Sequence, residues 1–254
     1  MTRNTARAEF TRIANEGRRP LGAFIMSSDP STTAIFGASG YDFVVIDREH
    51  GVIDVSAGVA HIRAAQSRDM VPIVRVLELN PALIQQALDM GAQGVIVPKI
   101  GSAAQAEVLV RAVHYRAGGR GRCSVVPGTD FDPRNWNERA QQINIDVLPI
   151  ALIETRAGLE NIDEIVAVPG LDHVFFGHAD LAQDLEEELS GDRLIEIWSR
   201  VRDAAHAAGV HAGAAFAGAE KHGADFVACG ADLPYIGEGA RQARERIDLR
   251  LHSH

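Results

Sequence analysis

Phe43-Val44-Val45-Ile46-Asp47-Arg48-Glu49-His50-Gly51 runs from a continuous apolar segment straight into two acids, an arginine and a histidine. A short, β-rich apolar run bounded by a turn signal predicts a buried strand. The charged cluster then falls where that strand runs out, and charges beside a buried strand are costly unless paired or metal-bound. Packing gives no reason for such a cluster. An α/β barrel does, because its chemistry collects at the C-terminal ends of the strands.

Outward from this stretch, short apolar runs alternate with helical patterns along the chain, as in a parallel sheet. Eight strands are predicted, at 21–26, 43–47, 73–76, 94–99, 148–154, 173–177, 211–215 and 225–229. Helices are predicted at 81–89, 103–115, 159–167 and 194–208, with Gly91 and Gly209 as C-terminal stops. Eight strands joined by right-handed crossovers close into a single (β/α)8 TIM barrel covering residues 1–254. An open doubly wound sheet is the alternative. The connection at about 116–144, between the fourth and fifth strands, is unusually long and carries Gly118-Gly119-Arg120-Gly121-Arg122 and Pro127-Gly128. Such links are functional or carry structure of their own. A short helix is expected at 135–142, and the glycine-arginine run reads as an anion cradle, a lid or a subunit contact.

The 254 residues match the roughly 250 of one α/β barrel. A net charge of −9, from 25 basic and 34 acidic residues, argues against nucleic acid as a partner. The acidic run 184–188 reads as a solvated helix face. No apolar run reaches the 18 or more residues of a membrane span. Arg3, Arg7, Arg12, Arg18 and Arg19 come without a hydrophobic h-region, so an amphipathic first helix over the barrel floor is expected, not a signal peptide. Cys123 and Cys229 lack metal or disulfide spacing and fit a reducing cytoplasm.

Placed on the strand ends, the polar residues form a constellation. Asp47, Glu49 and His50 follow the second strand, Arg75 lies in the third, Glu154 ends the fifth and Asp180 follows the sixth. Glu154 and Asp180 suit a hard divalent ion that retains waters, Mg²⁺ or Mn²⁺ before Co²⁺ or Zn²⁺. The bland reading makes each a helix cap. His50 is the candidate base, with Asp47 near enough in sequence to fix its tautomer. Arg75 is able to donate to a carboxylate or a developing enolate oxygen, or to pair with Glu49 or Asp47 inside the barrel. Lys99, one of only two lysines, offers a Schiff-base alternative. The chain lacks GxxxxGK[ST], HExxH, GxSxG and a post-strand GxGxxG.

From about Gly17 to Asp232 the chain resembles the HpcH/HpaI aldolases. The likeness is carried by residues 41–51, 88–94 with Val97-Pro98, Ile153-Glu154-Thr155 with Asn161-Ile162, and 169–172 leading into Gly177-His178-Ala179-Asp180-Leu181. The resemblance implies a pyruvate-type barrel and a metal-dependent class II aldolase acting on a 4-hydroxy-2-oxo acid. His50 would be its base, supported by Asp47, and Arg75 its substrate clamp. Glu154 and Asp180 would bind the metal, with backbone at Gly177, Ala179 and Asp180 on the pyruvate carboxylate. It also implies small-molecule 2-oxo acid and aldehyde substrates and a homo-oligomer, commonly a hexamer. His178 stands where a proline is usual, Leu152 where a glutamine is common and Phe24 where a tryptophan often lines the pocket. All three surround the acceptor side. The related citrate-lyase β-subunit-like and malyl-CoA lyases share the Pro98-Lys99 and Glu154 regions but typically lack the histidine, so His50 argues against them. A 2-oxo-acid decarboxylase and a non-catalytic oxo-acid binder are the other readings.

Overall fold

The computed structural model describes residues 5–251, with side chains through Asp248; Arg3 of the N-terminal arginines lies outside them. Eight strands, β1 (Leu21–Ile25), β2 (Phe43–Asp47), β3 (Val71–Arg75), β4 (Gly94–Val97), β5 (Leu148–Ile153), β6 (His173–Phe176), β7 (His211–Ala214) and β8 (Phe226–Ala231), pair in parallel and in chain order. Leu21 and Gly22 of β1 pair with Val227 and Ala228 of β8, which closes the barrel and removes the open-sheet alternative.

The two-residue period of a strand divides each one between two cores. Val44, Ile46, Val74, Ala151, Ile153, Val174 and Phe176 pack outward against the helices. Phe43, Val45, Val71, Ile73, Leu148, Ile150, Leu152 and Phe175 fill the interior. Continuing the interior rows upward gives Asp47 after Val45, Arg75 after Ile73 and Glu154 after Leu152. The charged residues are therefore the top layer of an otherwise apolar barrel. At the floor, Phe43 fills space that Gly22 leaves: a Cβ on Gly22 would stand 2.3 Å from the Phe43 ring.

The helix Ala6–Asn15 covers the floor as expected, and its Phe10 ring lies 5.3 Å from Phe43 and 5.7 Å from Phe226. Asp232, at the start of the helix Asp232–Leu251, accepts hydrogen bonds from Met26 N (2.8 Å), Ser27 N (3.1 Å) and Ser27 Oγ (2.6 Å). This ties the end of β1 to the C-terminal helix.

Three local expectations need correction. The helix expected at 159–167 is two, Arg156–Glu160 and Ile162–Val166, because Asn161 leaves helical geometry and donates from Nδ2 to Gly101 O at 2.8 Å. The acidic run is not one helix face: the helix His178–Leu185 stops when Glu186 turns left-handed at φ 55°, leaving Glu186 to Glu188 in an exposed loop. The long connection carries the helix Trp136–Asp146, and its glycine-arginine run is stapled down. There, Arg120 is buried, donates from Nη2 to Asp89 at 2.5 Å and lies 4.4 Å over the Tyr115 ring. That geometry suits an anchor, not a lid.

Phe10→Ala would empty the floor layer. A loss of about 3–5 kcal/mol in unfolding free energy is expected from urea denaturation, with the far-ultraviolet spectrum at zero urea unchanged.

Candidate active site

The site begins with a register. Asp47 and Arg75 are Cα partners across β2 and β3, and both stand in the interior rows. Asp47 is fully buried, so its charge requires a partner. Arg75 supplies it with two bonds, Nε to Oδ1 at 2.9 Å and Nη2 to Oδ2 at 2.5 Å. The planar fork fits the carboxylate on both edges, the strongest form of such a pair. Phe24 backs the guanidinium, with its ring centroid 5.2 Å from Arg75 Cζ.

Asp47 Oδ1 also accepts from the backbone N–H of Glu49 (3.0 Å) and of His50 (3.3 Å). The expected contact between the Asp47 carboxylate and the His50 ring is therefore corrected. A strand-end side chain points into the barrel, and Asp47 shapes the turn that carries His50 without touching its imidazole. The acid beside that ring is Glu49, with Oε1 3.9 Å from His50 Nε2. Glu49 Oε2 lies 3.4 Å from Arg75 Nη1 and is buried without a hydrogen-bond partner among the described residues. Burial pushes the Glu49 carboxyl up, against the pull of Arg75, His50 and Lys99. Sequence reasoning placed Glu49 in the constellation as a possible partner of Arg75 but gave it no role beside His50. Its signal was position, two residues beyond an inward Asp and directly before the candidate base.

Glu154 is 2% exposed at the top of β5. Its Oε1 accepts from Lys99 N at 2.9 Å, and Lys99 takes a left-handed φ of 57° there. Lys99 is exposed; its backbone N–H bonds Glu154, while its ammonium acts on Glu49 through space. Burial, then the Glu49 and Asp180 carboxylates, push Glu154 up to about 7 despite that N–H and Arg75. Asp180 sits in the first turn of the helix His178–Leu185. Neither acid caps a helix: Thr155 caps Arg156–Glu160, and Gly177 occupies the cap position before His178. Gly177 must be glycine here, since a Cβ would come within 2.8 Å of Glu154 Cβ and 3.0 Å of its Oε2.

A cavity of about 130 Å³ opens among Arg75, Glu154, Gly177, Ala179 and Asp180. Phe24, Leu152 and His178 line it too. Asp47 stands behind Arg75, while His50 lies outside the lining, half exposed, and connects through Glu49. Among the described residues no three His, Cys, Asp or Glu side chains form a metal cage. The donor set is two carboxylates, with water or substrate left to complete a shell, as a hard divalent ion accepts. A buried carboxylate with the acids Glu49 and Asp180 as neighbours lacks positive charge of its own, so the residues present fit such an ion.

A closed barrel with paired acids and a fixed arginine at its C-terminal mouth has its charged groups where barrel enzymes carry their chemistry. The sequence profile of the HpcH/HpaI aldolase/citrate lyase family matches residues 21–244, and the chain belongs to that family. It is an aldolase, a carbon–carbon lyase of the class that uses a divalent metal. A hydroxypyruvate/pyruvate aldolase of Roseovarius nubinhibens is 33% identical over 240 residues, covering 90% of this chain and 93% of the relative. A 2-dehydro-3,6-dideoxy-6-sulfogluconate aldolase of Pseudomonas putida is 38% identical over 164 residues, 64% of each chain. Among solved structures, an HpcH/HpaI aldolase/citrate lyase family protein of Burkholderia cenocepacia superposes with a TM-score of 0.86 at 27% identity, covering 94% of this chain and 98% of its own.

Glu154 titrates higher in the metal-free native state than the ordinary 4.5. Its stabilising contribution is therefore present below about 4.5 and lost as pH rises through about 7. In EDTA, Glu154→Gln is expected to match the parent near pH 4 and exceed it at pH 8 by up to about 3 kcal/mol in urea unfolding. Mn²⁺ affinity of the parent, read by calorimetry, should fall about tenfold per pH unit below neutrality as one proton competes with the ion.

Proposed function

We propose that Glu154 and Asp180 hold a Mg²⁺ or Mn²⁺ ion, and that the enzyme makes and consumes the enolate of pyruvate or hydroxypyruvate, joined to or released from an aldehyde. The observation that carries this reading is the buried Glu154 carboxylate sharing one cavity with Asp180 and a clamped Arg75. When bound, the ion would supply Lewis-acid stabilisation of charge on the oxo acid.

The protein's own groups do the rest. Arg75 cannot turn away, because Asp47 holds two of its nitrogens. Its guanidinium borders the cavity and donates to the oxygen on which enolate charge develops, with no reorganisation needed. Backbone N–H groups at Ala179 and Asp180, in the first turn of a helix, take the substrate carboxylate, while Gly177, whose own N–H goes to Ile153 O at 3.0 Å, keeps that wall open. His50 takes the proton from C3 of the oxo acid, directly or through water, and returns it on quenching. Glu49, 3.9 Å from its Nε2, steadies the imidazolium that results. The apolar walls Phe24 and Leu152 line the cavity beside these groups, on the side where the aldehyde would sit. The names of the hydroxypyruvate/pyruvate and sulfogluconate relatives support a short 2-oxo acid as donor.

A cytoplasmic setting is supported by two unpaired cysteines; among the described residues no helix is long and apolar enough to cross a membrane. A homo-oligomer is supported by the exposed Leu233, Tyr235, Ile236 and Ile247 along the C-terminal helix.

The decisive measurement is proton NMR of pyruvate in D₂O. Methyl exchange is expected with Mg²⁺ or Mn²⁺, to vanish in EDTA, and to drop by about 10²–10⁴ in His50→Ala. Exchange that survives EDTA would overturn the metal assignment, and full exchange in His50→Ala would overturn the base. Glu49→Gln should slow exchange while leaving Mn²⁺ binding within about tenfold of the parent.

A further inference from the structure

The cavity at the barrel mouth has two unlike sides. Arg75 and Glu154, at the tops of β3 and β5, face it from the half of the barrel that also carries Asp47 and Glu49. Phe175 in β6, Ala215 after β7 and Phe24 in β1 line the other half, where β6, β7, β8 and β1 run side by side. One polar side chain stands on that second side, His178, the first residue of the helix His178–Leu185. Besides the charged Arg75, Glu154 and Asp180, it is the one polar side chain of the lining among the described residues.

His178 is held in place yet uncommitted. Its ring packs edge-on to Phe216, centroids 6.2 Å apart, and Phe216 is itself buried against Trp198 at 5.8 Å. Among the described residues the imidazole has no hydrogen bond or ion pair, and neither ring nitrogen is sealed from solvent. A structural histidine of this chain looks different. His61 is fully buried, with Nδ1 2.8 Å from Thr33 Oγ1 and Nε2 3.0 Å from Ser27 O. An imidazole presents an N–H in either charge state, and its second nitrogen accepts when the ring is neutral. A hydroxyl is the uncharged group that answers both. Apolar walls with one well-placed polar group are how a pocket fixes the orientation of its ligand.

On the reading proposed above, which this inference rests on, the oxo acid is taken up by the backbone of Ala179 and Asp180, by Arg75 and by His50. The wall of Phe24, Phe175 and Ala215 is left for the carbon chain of the aldehyde, and His178 is the group there with a polar atom to offer. We propose that His178 is a specificity-determining residue that hydrogen-bonds a hydroxyl on the aldehyde, so that 2-hydroxyaldehydes are preferred to alkyl aldehydes of the same length. A site built to bond a hydroxyl disfavours the analogue lacking it, because its own polar group then goes unpaired.

The test compares kcat/KM for glycolaldehyde and for propanal, each with pyruvate and Mn²⁺, in the parent, His178→Leu and His178→Gln. A ratio between two aldehydes in one protein cancels any change in enolate formation or metal loading. The parent ratio should favour glycolaldehyde, and His178→Leu should lower it about tenfold, the worth of one hydrogen bond. His178→Gln, which keeps a donor and an acceptor, should retain more of the preference than His178→Leu. A parent without the preference, or a ratio unchanged in His178→Leu, would overturn the proposal. Hydroxypyruvate against pyruvate, with propanal as the partner, supplies the second arm. A His178→Leu effect confined to hydroxypyruvate would put the hydroxyl on the oxo acid and overturn the aldehyde assignment. Methyl exchange of pyruvate needs no aldehyde. Its failure in the parent would strike the enolate reading, whereas exchange with an unchanged aldehyde ratio would strike the role of His178 alone.

Discussion

The buried pair Asp47–Arg75 is the constraint on which the rim depends. A fully buried carboxylate at the end of β2 is tolerated because the β2–β3 register sets an arginine opposite it. Removing either partner would strand a charge in the barrel, a loss of about 3–5 kcal/mol in comparable buried pairs. Geometry, not net energy, is what the pair supplies, since two apolar residues would pack there as stably. The pair holds Arg75 against Phe24 and leaves Nη1 turned toward Glu49. Through Oδ1 it also fixes the turn that carries Glu49 and His50. One interaction therefore aims the anion clamp and places the candidate base.

A second layer of electrostatics follows. Arg75 spends its charge on Asp47, so Glu49, Glu154 and Asp180 share a mouth with too little positive charge of the protein's own. Burial first, and then those carboxylates, push the Glu154 carboxyl up. A proton relieves that shortage in the metal-free protein, and a divalent ion would relieve it more fully. The strain of Lys99 at φ 57° belongs to the same arrangement, because that conformation points its N–H at Glu154. Backbone held in a rare region beside a functional carboxylate is where such strain is usually found.

Much of this was legible in the sequence because strand ends are. An apolar run that ends in Asp, Arg or Glu states both the strand and the direction of its last side chain, and β2, β3 and β5 each read that way. Less legible was anything set by contacts between distant segments. Asn161 breaks a helix by reaching Gly101, Asp232 clamps a loop some 200 positions earlier (Met26 and Ser27), and Arg120 stacks on Tyr115 only after the long connection folds back. The Asp47–His50 pairing failed for a related reason. Three residues apart is close along a helix, but across a strand end the first side chain enters the barrel and the second leaves it.

Phe24, Leu152 and His178, which the family resemblance set on the acceptor side, share a cavity. None of them touches Asp47 through a hydrogen bond or ion pair, and Phe24 meets Arg75 only through its ring face. His178 stands half-buried against Phe216, at 6.2 Å, on the helix that also carries Asp180. Enolate-forming groups and cavity walls are thus built from different side chains on shared elements. A barrel whose charged layer is fixed by register can exchange its uncharged walls with little effect on that layer. In the proposed reaction the partner aldehyde would be selected by what Phe24, Leu152 and His178 admit, while the chemistry at C3 would stay with the rows that end in Asp47, Arg75 and Glu154.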